Sequence, residues 1–106
     1  MEENAELTGL INKDLGNPGE GLIIAPGLPD RHAIREQLAY VIARLMEDNF
    51  ERLCQTMYRL DVSEAKFDEA INLRPLEEIP FALADLVIER ELQKVRTRLL
   101  YKRGEL

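Results

Sequence analysis

The sequence is short of almost every residue that carries chemistry. Of its 106 residues one is a cysteine, Cys54, and one is a histidine, His32. A lone cysteine excludes an intramolecular disulfide. One histidine and one cysteine cannot supply the closely spaced ligands of a zinc-type site, so no metal and no cofactor is expected. No apolar run approaches the ~20 residues of a membrane-spanning helix. The start, Met1-Glu2-Glu3-Asn4, is acidic and lacks both a basic stretch and a long apolar run. Neither a secretory signal nor an organelle presequence is therefore expected, and the expected location is the cytoplasm. The glycines between positions 16 and 27 form neither a Gly-Lys-Ser/Thr loop nor a G-x-G-x-x-G turn, which excludes the usual phosphate cradles.

What is present suits one ordinary domain: 45% of residues are hydrophobic and 32% charged. The net charge of −6 is unevenly placed. Residues 1–30 hold six acids (Glu2, Glu3, Glu6, Asp14, Glu20, Asp30) against the single base Lys13, whereas residues 31–106 hold thirteen bases and fourteen acids. An acidic balance argues against general nucleic-acid binding, which needs a positive surface to displace counterions.

Residues 1–32 contain five of the six glycines and three of the five prolines. That density breaks regular structure, so this segment reads as a flexible or extended arm ahead of a helical domain over residues 33–106. Within the arm, a short helix fits about Ala5–Asp14. Leu22-Ile23-Ile24-Ala25 is a small apolar island suited to lying on the helices or pairing with a partner.

The helical domain opens near Asp30, a good N-cap. Ile34, Leu38, Val41, Ile42, Leu45, Met46, Phe50, Leu53, Cys54, Met57 and Leu60 follow in helical steps of three and four. They predict one helix of about seven turns, uninterrupted by Gly or Pro. Asp48 and Arg52 are spaced for an i,i+4 ion pair. A short second helix is capped by Ser63, with Val62 and Phe67 at the positions of a hydrophobic staple, and ends at Asn72 or before Pro75. A third helix begins around Pro80. Its stripe is Phe81, Ala84, Ile88, Leu92, Val95 and Leu99, broadened by Leu83, Leu86, Val87 and Leu100. Residues 81–88 are apolar except for Asp85. A helix apolar nearly all round must be covered on several sides, by the short helix, by the Leu22–Ala25 island or by another subunit. The third helix is acid-rich at its front and basic at its back, which complements the helix dipole.

Two segments, Tyr58-Arg59-Leu60-Asp61-Val62-Ser63-Glu64 and Ala84-Asp85-Leu86-Val87-Ile88-Glu89-Arg90-Glu91-Leu92-Gln93-Lys94, resemble the core of a family of small, uncharacterised bacterial helical proteins. The resemblance spans roughly Ile42–Lys102. It implies a helical fold and a bacterial origin, and it brings no activity and no site residues.

The candidate chemistry is thin. His32 lies near a helix start with no carboxylate expected to orient it, and reads as a solvent-facing histidine. Cys54 sits in the apolar stripe, some six turns from His32, and reads as a buried, inert thiol. Glu47 and Glu51 form a solvated face without the Glu-x-x-His pattern of carboxylate-bridged metal bundles. Asp85 either points to solvent or pairs with an arginine of the first long helix or of another subunit. Lys94, Arg98 and Lys102 share one face of the third helix. They are the anion-contact candidates, with dipole complementation and solubility as the plainer account.

The expected fold is all-α: an antiparallel helical hairpin with a short connecting helix and a Gly/Pro-rich N-terminal arm, completing a bundle as a homodimer. The expected function is a non-enzymatic protein-interaction or assembly module. Its interface candidates are Leu22, Ile23, Ile24, Phe81, Leu83, Leu86, Val87 and Asp85. The alternative is a nucleic-acid-associated regulator that uses the basic face over residues 94–103.

Overall fold

Among the described residues five α-helices occur: α1 (Glu2–Leu15), α2 (Arg31–Asp48), α3 (Phe50–Arg59), α4 (Glu64–Ile71) and α5 (Ile79–Lys102), with a 3₁₀ turn at Leu76–Glu78. They come from a computed structural model that describes residues 2–16 and 23–104. The protein is all-α, and no strand occurs among the described residues. Among the described residues no helix is long and apolar enough to cross a membrane.

The Asp30 carboxylate accepts the Ala33 N–H at 2.9 Å and starts α2. Ile34, Leu38, Ala39 and Ile42 then turn inward. The single seven-turn helix expected beyond this point is two helices. Asn49 breaks it, with φ −160° and ψ 73°. Its own N–H donates to Leu45 O at 2.8 Å, closing α2, while its side-chain oxygen accepts the Arg52 N–H at 3.1 Å, opening α3. An asparagine side chain can compete with the backbone for such hydrogen bonds, which is how one residue ends one helix and caps the next. After the break Leu53, Thr56 and Met57 face the core, whereas Phe50 is exposed.

α3 ends in a left-handed residue, Asp61 at φ 63°. Val62 N–H reaches back to Met57 O at 3.1 Å and Asp61 N–H to Tyr58 O at 3.0 Å, a Schellman-type closure. Ser63 caps α4, Val62 and Phe67 both pack against the core, and Asn72 ends the helix. Pro80 sits in the first turn of α5, where a missing N–H costs nothing.

α5 is the central element. It packs against α2, α1 and α4. Ile79, Leu83, Ala84, Val87, Ile88, Leu92 and Val95 are all buried along it. Much of the apolar surface of α5 is thus buried within one chain, with Phe81 and Leu86 left half-buried. α1 joins the core along the later turns of α5, where its acids pair with Lys94, Arg96 and Lys102: Leu7, Leu10, Ile11 and Leu15 are buried in the same cluster as α2–α5, and so is Ile24. Part of the segment read as an arm is core.

Asn12 on α1 explains how Ile24 is held. Its Oδ1 accepts the N–H groups of Ile23 and Ile24 at 2.8 and 2.9 Å, and its Nδ2 donates to Ile24 O at 3.1 Å. One amide side chain satisfies three backbone groups that have no helix to join. Gln37 on α2 continues the pattern, its Oε1 accepting the Ala25 N–H at 2.8 Å. Ile23, Ile24 and Ala25 of the apolar island are thus tied to α1 and α2.

Candidate functional site

The sequence-derived interface residues separate once folded. Leu83 and Val87 are buried, Ile24 is buried and Ile23 packs against the core. Leu22 lies outside the described residues. Leu86 is half-buried beside the Lys66–Glu89 ion pair, in a small depression between α4 and α5. Phe81 and Asp85 remain at the surface, in a shallow groove with Leu73, Ala82, Arg35, Glu36, Glu77 and Glu78.

Asp85 both faces solvent and pairs with an arginine of α2. Arg35 Nε donates to Oδ1 at 2.7 Å and its Nη2 to Oδ2 at 3.2 Å, a two-pronged contact. The Arg35 guanidinium also lies 4.9 Å from the Phe81 ring centroid. Asp85 holds Arg35 in its charged form, chiefly through that hydrogen bond. Leu73, 37% exposed, shares this groove with the half-buried Phe81, edged by Glu36, Glu77 and Glu78, and Leu76 in the adjoining 3₁₀ turn is 60% exposed.

The basic run on α5 meets the acids of α1. Arg96 pairs with Glu3 at 3.2 Å, Lys102 with Glu6 at 3.6 Å and Lys94 with Asp14 at 3.6 Å. Glu3 also accepts from Arg31 of α2 at 3.0 Å. The Arg96 hydrogen bond, ahead of the one from Arg31, holds Glu3 below the usual carboxylate range. Of the anion-contact candidates, Lys94 and Lys102 are engaged within the chain. Arg98 is exposed near the exposed Tyr101 on an open surface.

His32 does have a carboxylate beside it: Glu36, one turn on, lies 3.2 Å from Nε2 with both side chains exposed. Its i+4 position follows from helix geometry. Cys54 is half-buried rather than buried, because the turn at Asn49 rotates its edge of the stripe outward. It borders an open depression with Asn49, Glu51, Arg52, Gln55, Tyr58 and Arg59, far from a closed polar pocket. Asp48 pairs with Arg44 at 3.9 Å, whereas Arg52 donates to Leu15 O at 3.1 Å. Among the described residues no three His, Cys, Asp or Glu side chains gather to hold a metal ion.

Sequence reasoning passed over Glu91. It is fully buried on α5, and neither carboxyl oxygen has a hydrogen-bond partner in the structure. Lys94 Nζ lies 3.5 Å from its Oε2 and 3.6 Å from Asp14 Oδ2, between the two carboxyls. Burial, and then the neighbouring Asp14 carboxylate, push Glu91 up to about 7 against the pull of Lys94. The signal was present: Ala84, Ile88, Glu91 and Val95 step by four, three and four, so Glu91 occupies a core position of the stripe.

No protein family's model matches the chain, and no curated protein or solved structure is similar to it.

Proposed function

We propose that this chain is a non-enzymatic protein-interaction module that acts as a homo-oligomer. One observation carries the reading: Leu73 and Phe81 line one shallow groove, and Leu76 stands exposed in the 3₁₀ turn whose glutamates edge it. Exposed leucines with a half-buried aromatic are costly to leave in water and are the usual core of a contact surface. The apolar surplus of α5, which first suggested a second subunit, is largely taken up by α1, α2 and α4, so it no longer supports association. Support comes instead from the smaller exposed patch and from charge. The patch is edged by Glu36, Glu77 and Glu78, while Arg98 and Tyr101 near the other end of α5 are exposed and offer a basic, aromatic counterpart. Two copies can meet head to tail through such surfaces.

Light scattering at micromolar concentration tests this. The wild type gives a mass above one chain, and Leu76→Glu returns it to one chain while circular dichroism stays unchanged. A single-chain mass for the wild type sinks self-association. A wild-type oligomer that Leu76→Glu leaves intact moves the contact away from this patch.

The alternative, a nucleic-acid regulator using residues 94–103, has less support. Asp14, Glu3 and Glu6 already occupy Lys94, Arg96 and Lys102, and each would have to be displaced before a phosphate could bind.

A further inference from the structure

Among the described residues Glu91 is a charged side chain set fully inside the core, and its chemistry does not match its surroundings. A carboxyl with 0% exposure and no hydrogen-bond partner is expensive to hold, and more so when ionised. It lies where the C-terminal end of α1 meets α5, so whatever relieves it acts on the docking of α1. We propose that Glu91, Asp14 and Lys94 form a proton-sensitive latch that sets how firmly α1 is held on α5.

The groups around the latch are few. α1 contributes Asp14, and α5 contributes Glu91 itself and Lys94. α3 contributes Arg52, which donates to Leu15 O at 3.1 Å, and Arg59, which donates to Asp14 O at 3.5 Å. These two arginines bind the carbonyls that the end of α1 leaves unpaired and offset the negative pole of its dipole. α2 and α4 direct their ion pairs elsewhere, Arg35 to Asp85 and Lys66 to Glu89.

With Glu91 protonated, the cluster holds one carboxylate, Asp14, opposite one ammonium, Lys94. The Glu91 hydroxyl then adds a second donor beside Lys94, directed toward Asp14. With Glu91 ionised, two carboxylates share one lysine and the second negative charge is buried. Undocking α1 removes Asp14 and admits water to Glu91, so the ionised form favours release.

A carboxyl that titrates at about 7 when docked and near 4.5 when exposed binds its proton more tightly in the docked state. Docking is therefore firmest below pH ~4.5, weakens as the pH climbs to about 7, and levels off above. Between pH 5.5 and 8.5 that difference corresponds to roughly 30-fold in the docking equilibrium.

Amide hydrogen exchange, corrected for intrinsic rates, tests this across that pH range on the full chain. In the wild type the amides of Leu10–Asp14 lose protection by about 30-fold toward high pH, while those of α4 change much less. Glu91→Gln, neutral at every pH, keeps α1 protected throughout. Asp14→Asn lowers the midpoint at which the Glu91 side-chain carbon titrates in ¹³C NMR. The proposal is overturned if Glu91→Gln retains the wild-type pH dependence, or if α1 and α4 lose protection together. A Glu91 carbon in the wild type that titrates in the ordinary carboxylate range overturns it without any variant.

Discussion

Replacing Asn12 with alanine isolates how α1 holds the chain that follows it. The change removes three hydrogen bonds, to Ile23 N–H, Ile24 N–H and Ile24 C=O, at 2.8, 2.9 and 3.1 Å. Each is part-buried and worth about 1 kcal/mol net, with a higher cost wherever a backbone group is left without water. The loss is then about 2–4 kcal/mol. Alanine is the better helix former, which returns about 0.5 kcal/mol to α1. The net cost is about 1.5–3.5 kcal/mol, a large part of the ~5–15 kcal/mol that stabilises a domain of this size. With a urea slope of about 1–3 kcal/mol per molar, the unfolding midpoint falls by roughly 1 M. Asn12→Asp keeps the acceptor and loses only the bond to Ile24 O, so its midpoint lies between the two. A fall equivalent to less than ~0.5 kcal/mol in Asn12→Ala, with unchanged exchange at the Ile23 and Ile24 amides, would refute the reasoning.

Other substitutions test separate parts of the fold. Leu83→Ala, at 0% exposure where α5 meets its neighbours, costs about 2–5 kcal/mol in chemical denaturation. Asn49→Ala removes the cap of α3 and costs about 1 kcal/mol, with amide exchange faster in Glu51–Leu53 than in α2. Asp85→Ala breaks an ion pair whose partners are 54% and 36% exposed, so thermal melting reports at most ~1 kcal/mol, shrinking further in high salt.

The fold class and the caps were legible because they depend on local chemistry. Asp30 and Ser63 can accept free N–H groups whatever the tertiary structure, and Val62 with Phe67 needs only helix geometry to meet. The break at Asn49 was not legible from the stripe. Helical spacing runs straight through it, and nothing in that spacing says whether the Asn49 side chain caps a new helix or leaves the old one running. The N-terminal segment misled for a related reason. Its glycines and prolines suggested an arm, yet Leu7, Leu10, Ile11 and Leu15 step by three, one and four and make a helix face. The same excess of acid that set this segment apart is what matches it to Arg96, Lys102 and Lys94. Glu91 was passed over because its neighbour Leu92 fits the stripe nearly as well, and an acid is read as solvent-facing by default. Both positions are buried in the fold, and whether the Glu91 side is covered as well depends on where α1 lies, which no local pattern encodes.

The pairing of Glu3 with Arg96 spans 93 residues of sequence. At ribosomal rates of about 5–20 residues per second, α5 is made some 5–20 seconds after α1. During that interval Leu7, Leu10, Ile11 and Leu15 lack the helix against which they chiefly pack. Of the described helices α1 is thus made before the partner that secures it, and a nascent chain stalled before residue 90 exposes the apolar positions Leu7, Leu10, Ile11 and Leu15 that the finished fold conceals.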